Sequence, residues 1–120
     1  WERTYRGLLD QARQANPALK IVLCTPFAAP CGKIVEGALG EYYPLRQRIL
    51  AQCCVIVERI AADYGATLVP FHRLIADLET RLPNGDATYW VWDGIHPTPA
   101  GQRLMADCWI GAAARNGVME

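Results

Sequence analysis

The chain has 120 residues, 52% hydrophobic and 20% charged, which is the balance of an ordinary globular domain with a modest core. Twelve basic and twelve acidic residues cancel to zero formal charge, and no basic stripe is present to neutralise phosphates, so a nucleic-acid partner is excluded. No apolar run approaches the roughly 20 residues of a membrane span, and no signal peptide is visible.

In chain order, Trp1, Tyr5, Leu8, Leu9 and Ala12 recur at helical spacing and predict a helix over about 1–15. Asn16-Pro17 ends it, because proline disfavours helix in the preceding residue. The continuous apolar run Lys20 to Phe27 (KIVLCTPF) predicts a buried parallel strand. Pro30, Gly32 and Gly37 mark a loop. From about Glu41 to Tyr64, Leu45, Ile49, Cys53, Ile56 and Ile60 form one stripe and predict a long helix with that stripe as its core face. Gly65 stops it. Ala66 to Phe71 (ATLVPF) predicts a second buried strand, and Phe71, Leu74, Ile75, Leu78 and Leu82 a further helix. Pro83-Asn84-Gly85-Asp86 is a predicted turn. Thr98 is placed to cap, and Pro99 to begin, a last helix to about Ala114, with Leu104, Met105, Cys108 and Trp109 turned inward.

Strands separated by helices imply a parallel sheet with right-handed crossovers, hence an α/β fold. Two strands leave an edge bare and the sheet faces partly covered, so further chain is expected before Trp1. The absence of a start methionine, in a chain that opens inside a helix pattern, leads to the same expectation.

Five cysteines, an odd number with no Cys-x-x-Cys, argue against a zinc site or a thioredoxin-like motif. They read as free, mostly buried thiols, which fits a reducing compartment and slightly favours the cytoplasm without fixing it. No Gly-x-Gly-x-x-Gly or phosphate-binding loop occurs, so no cofactor is expected. The sequence contains no serine.

Asp93-Gly94-Ile95-His96 carries the most specific chemistry. Histidine suits general-base work near neutral pH, and a carboxylate on Nδ1 fixes its tautomer. Gly94 supplies backbone freedom for a tight turn that brings the two together, and Pro97 with the Thr98 cap stiffens its exit. An isolated Asp-x-x-His is more often a surface turn before a capped helix. Here it sits between a parallel-sheet pattern and a final amphipathic helix. A metal site built on the pair lacks further ligands.

The segment Tyr89-Trp90-Val91-Trp92-Asp93-Gly94-Ile95-His96-Pro97-Thr98-Pro99-Ala100-Gly101 resembles the last conserved block of the SGNH/GDSL hydrolases, where Asp and His complete a catalytic triad before the final helix. The strand ending Thr25-Pro26-Phe27 is similar to the one before that family's long variable loop. The resemblance covers the whole chain, 1–120, as the C-terminal portion of one such domain. It implies a flavodoxin-like three-layer α/β/α sandwich with its N-terminal strands absent here. It also implies hydrolysis of a carboxylic ester, on a carbohydrate acetyl group or a lipid, with His96 as base and then acid and Asp93 orienting it. The family's Gly-Asp-Ser block, its glycine and its Gly-x-Asn-Asp block do not occur in this sequence. On this resemblance the chain supplies part of an esterase and is inactive alone. The rival from another class is a non-catalytic α/β binding module or inactive fragment.

Other residues carry weaker expectations. If the Tyr89–Trp92 segment is extended, Trp90 and Trp92 point to one side and wall a substrate pocket, or else they are core. Thr25 and Phe27 end a strand and line the cleft, or pack. His72 sits at a strand's C-terminal edge, where α/β ligands bind, or simply starts a helix. Cys31, in a Pro-Cys-Gly loop, has no visible base to make it a nucleophile.

Overall fold

The computed structural model describes residues 1–82 and 86–119. Helix α1 (Glu2–Ala15) leads to strand β1 (Val22–Cys24). A 3-10 turn (Gly32–Val35) and the short α2 (Gly37–Glu41) precede the long α3 (Tyr43–Asp63). Strand β2 (Thr67–Val69), α4 (Phe71–Arg81) and α5 (Pro99–Arg115) complete the chain. The predicted turn at Pro83–Asp86 lies outside the described residues apart from Asp86.

The two strands pair in parallel, Leu23 opposite Leu68, and α3 makes the crossover between them. Side chains alternate across a strand. Leu23 and Leu68 therefore share one face, where Ile21, Leu23, Val57, Ile60 and Ala61 form a buried cluster joined by Tyr5 and Leu9 of α1. On the opposite face α5 packs on β2, and its buried residues are Gly101, Ala112 and Ala113. Helices thus cover both faces of the sheet, the layering expected from the strand–helix alternation. Among the described residues the other edge of β1 pairs with no strand. None of the described helices is long and apolar enough to cross a membrane.

Two packing expectations need correction. The buried side of α3 is Cys54, Val57, Ile60 and Ala61, whereas Leu45 and Ile49 of the expected stripe are exposed. Only the C-terminal half of α3 lies over the strands, so the N-terminal half has apolar periodicity but no sheet beneath it. Similarly, no residue of α1 is fully buried, and Trp1 and Leu8 are exposed. Helix α3 ends where expected, at Gly65, with the Ala66 N–H closing back on Ala61 O at 2.8 Å.

A second buried cluster (Ala29, Cys31, Ile75, Ala87 and Val91) lies where the segment after β1 meets α4 and the segment before α5. It forms the floor under Asp93 and His96.

Candidate active site

Asp93 and His96 meet in a tight turn. Asp93 Oδ1 accepts the main-chain N–H groups of Ile95 (3.0 Å) and His96 (2.8 Å), and Oδ2 pairs with His96 Nδ1 at 2.7 Å. These bonds hold the Asp93 carboxyl well below the usual carboxylate range, at about 2, so it is ionised at neutral pH. A carboxylate can only accept, so Nδ1 carries a proton and Nε2 is the ring nitrogen turned away from Asp93. The Asp93 side chain is 14% exposed and that of His96 68%. The carboxylate is sheltered while the imidazole reaches outward. Among the described residues no hydroxyl or thiol partners Nε2.

The turn is braced from both sides. Behind it, Ala29 N donates to Gly94 O (2.9 Å), Ile34 N to Asp93 O (3.3 Å), and the buried Cys31 thiol to Val91 O (3.0 Å). Gly94 has φ +89, and a Cβ there would lie 2.1 Å from Ile34 Cγ2 and within 2.8 Å of the Cys31 and Ala29 carbonyl oxygens. Only glycine fits this backbone and this space. In front, Val91 bridges Pro97, and Trp92 N donates to His96 O at 3.2 Å. Thr98 caps α5 by accepting the Gly101 N–H at 3.1 Å, while its hydroxyl donates to Tyr89 O at 2.7 Å. Gly101 sits against the Trp90 carbonyl, which a Cβ would approach to 2.0 Å, so the first turn of α5 docks directly on the site segment.

The structure separates the two tryptophans. Residues 88–90 form a turn instead of extended chain, because the Trp90 and Val91 N–H groups both return to Ala87 O at 2.8 Å. Trp90 packs against the floor cluster, and among the described residues its buried indole N–H finds no acceptor. Trp92 is 52% exposed and stacks on the His96 ring, centroids 6.1 Å apart and planes 25° from parallel. Thr25 is buried. Its Oγ1 accepts the His72 main-chain N–H at 3.2 Å and pairs with His72 Nδ1 at 2.7 Å, tying the end of β1 to the start of α4. Burial holds the His72 imidazole below its ordinary pKa, and Glu58 Oε1 lies 3.7 Å from its Nε2. Burial likewise raises the Cys31 thiol, so that its place is in the bracing. The sequence reading missed this role, and the only signal was the Pro30-Cys31-Gly32 loop itself. Among the described residues no three His, Cys, Asp or Glu side chains gather as metal ligands.

An apolar groove of about 710 Å³ lies at the C-terminal end of β1. Trp1, Tyr5 and Leu8 of α1, Cys24 and Phe27 beside β1, and Ile95 of the Asp93–His96 turn line it. The groove therefore reaches the turn.

The family model described as the GDSL-like Lipase/Acylhydrolase family matches residues 1–104, a span that holds both strands and the Asp93–His96 turn. A solved structure from Parabacteroides merdae ATCC 43184, described as a GDSL-like lipase, superposes with a TM-score of 0.79 at 28% identity. It covers 95% of this chain and 48% of its own, so this chain spans about half the length of that protein. No curated protein matches. With a matching parallel fold and a family model spanning most of its length, the chain belongs to the GDSL-like lipase/acylhydrolase family.

Proposed function

We propose that this chain supplies the acid–base half of a serine hydrolase that cleaves carboxylic esters, with His96 as general base and then acid and Asp93 orienting it. The observation that carries this is the Asp93–His96 pair, a carboxylate on Nδ1 of an outward-facing ring whose Nε2 has no partner among the described residues. Nε2 takes the proton of a serine hydroxyl as its oxygen attacks the ester carbonyl. The imidazolium then returns that proton to the departing alkoxide, leaving an acyl-enzyme. Water, deprotonated by the same Nε2, hydrolyses the acyl-enzyme and frees the serine. Asp93 keeps Nδ1 protonated throughout and stabilises the transient positive charge.

The nucleophile and the oxyanion donors come from outside these 120 residues, which contain no serine. The unpaired edge of β1 and the apolar groove at the C-terminal end of that strand are where a preceding segment of the same domain adds a parallel strand and brings the serine toward Ile95 and His96. By itself the chain is inactive as a serine hydrolase. Acetyl groups on carbohydrate and simple lipid esters are the substrate classes for this chemistry.

The test is an esterase assay with 4-nitrophenyl acetate and butyrate on the full-length protein, its His96→Ala variant and the isolated 120-residue chain. Turnover by the full-length protein, lost in His96→Ala and absent from the isolated chain, is the expected result. Turnover that survives His96→Ala refutes the assignment, and full turnover by the isolated chain refutes the need for an outside nucleophile.

A further inference from the structure

The Trp92 indole belongs to neither buried cluster and leaves about half its surface in water. Its main chain is fixed on both sides. Trp92 N donates to His96 O, and the neighbouring Val91 is fully buried and bridged to Pro97. On this backbone the indole turns one of its planes to the His96 imidazole, 6.1 Å away and 25° from parallel.

We infer that Trp92 is a positioning residue for His96, stacking on the imidazole and favouring its protonated form during turnover. The inference rests on the role proposed for His96. Asp93 fixes the ring at Nδ1 alone, and one hydrogen bond leaves the ring free to swing about that contact. The indole plane supplies the missing restraint. The face of an indole also carries partial negative charge and attracts a cation held about 6 Å from its centre. The imidazolium that forms when Nε2 takes the serine proton is such a cation. The stack is therefore stronger at the step where charge develops than in the resting enzyme, and an interaction of that kind raises turnover and leaves substrate affinity unchanged. Cation–π contacts at exposed sites change an equilibrium by about two- to fivefold.

The experiment uses the full-length protein and its Trp92→Ala, Trp92→Leu and Trp92→Phe variants, with His96→Ala as control. Steady-state rates on 4-nitrophenyl acetate are measured together with NMR of the histidine ring protons, His96 being the resonance lost in His96→Gln. The expected result is a roughly two- to fivefold drop in kcat for Trp92→Ala and Trp92→Leu, KM within twofold, and most of the rate retained by Trp92→Phe. The His96 ring resonances should move downfield in Trp92→Ala and Trp92→Leu as the indole ring current is lost. A rise in KM with kcat unchanged makes Trp92 a wall for substrate and overturns the inference. An inactive His96→Ala combined with unmoved ring resonances overturns the stack alone and leaves the function proposed above in place. A fully active His96→Ala removes that function and the role of Trp92 with it.

Discussion

Gly94→Ala is the substitution whose cost can be worked most directly from the structure. The residue holds φ +89, where a side chain adds about 1–2 kcal/mol of backbone strain. The new methyl would also lie 2.1 Å from Ile34 Cγ2, 2.7 Å from Cys31 O and 2.8 Å from Ala29 O. The isoleucine methyl can yield, but the two carbonyls belong to the backbone that braces the turn. Forcing an extra methyl into such a site costs about 1–3 kcal/mol, so the total is about 2–5 kcal/mol. With a urea m-value of about 2 kcal/mol/M, the unfolding midpoint of the full-length protein should fall by about 1–2.5 M. The same displacement separates Ala29 N from Gly94 O, so esterase activity should fall more steeply than the folded fraction. A double-mutant cycle with Ile34→Ala locates the cause. Removing the isoleucine methyl relieves one of the three contacts, so Gly94→Ala should cost about 1 kcal/mol less in that background. A midpoint shift below about 0.3 M, or a cycle with no coupling, would refute the claim that the 29–34 segment clamps the turn.

Three further outcomes follow from the same geometry. Because the folded Asp93 carboxyl sits at about 2, below the roughly 3.9 of an unfolded aspartate, its contribution to stability is fully present above about pH 5 and disappears as pH falls from about 4 through 2. Thermal melts across pH 2–6 should therefore show an acid limb that flattens in Asp93→Asn, and an unchanged limb would contradict the bonding assigned to Asp93. Thr98→Ala removes both the cap on Gly101 N and the bond to Tyr89 O and should destabilise by about 1–2 kcal/mol, read by urea titration, with Thr98→Ser recovering most of it. Cys31 and Cys54 should resist thiol labelling in the native protein and react once urea unfolds it, while the half-buried Cys24, Cys53 and Cys108 label first. Mass spectrometry of labelled peptides gives the order.

The sequence alone determined the two strands, four of the helices and the chemistry of the turn, while the 3-10 turn at Gly32–Val35 and α2 lie in what read as a loop. Apolar runs with β-branched residues marked β1 and β2, and the Asn16-Pro17 and Gly65 stops bounded α1 and α3. Thr98-Pro99 placed the start of α5 to the residue. Asp93 and His96 were legible because their pairing is local: three residues of chain, one glycine and one cap suffice to close it. What depended on distant chain was decided only in three dimensions. The period of α3 was visible, but Leu45 and Ile49 are exposed and Val57 is buried because the sheet lies under one end of the helix, and no periodicity records where a neighbour stops. Trp90 and Trp92 would share one side only in an extended segment, and the turn at Ala87 sends one to the floor and the other onto His96. The service of Cys31 and Ala29 as a clamp on residues 91 and 94 crosses about sixty positions of sequence, and the tie between Thr25 and His72 crosses 47. Local pattern follows from the torsions and spacing of neighbouring residues. Contacts at such separations exist only once packing has closed the loops between them, and that is why they were decided by the tertiary structure alone.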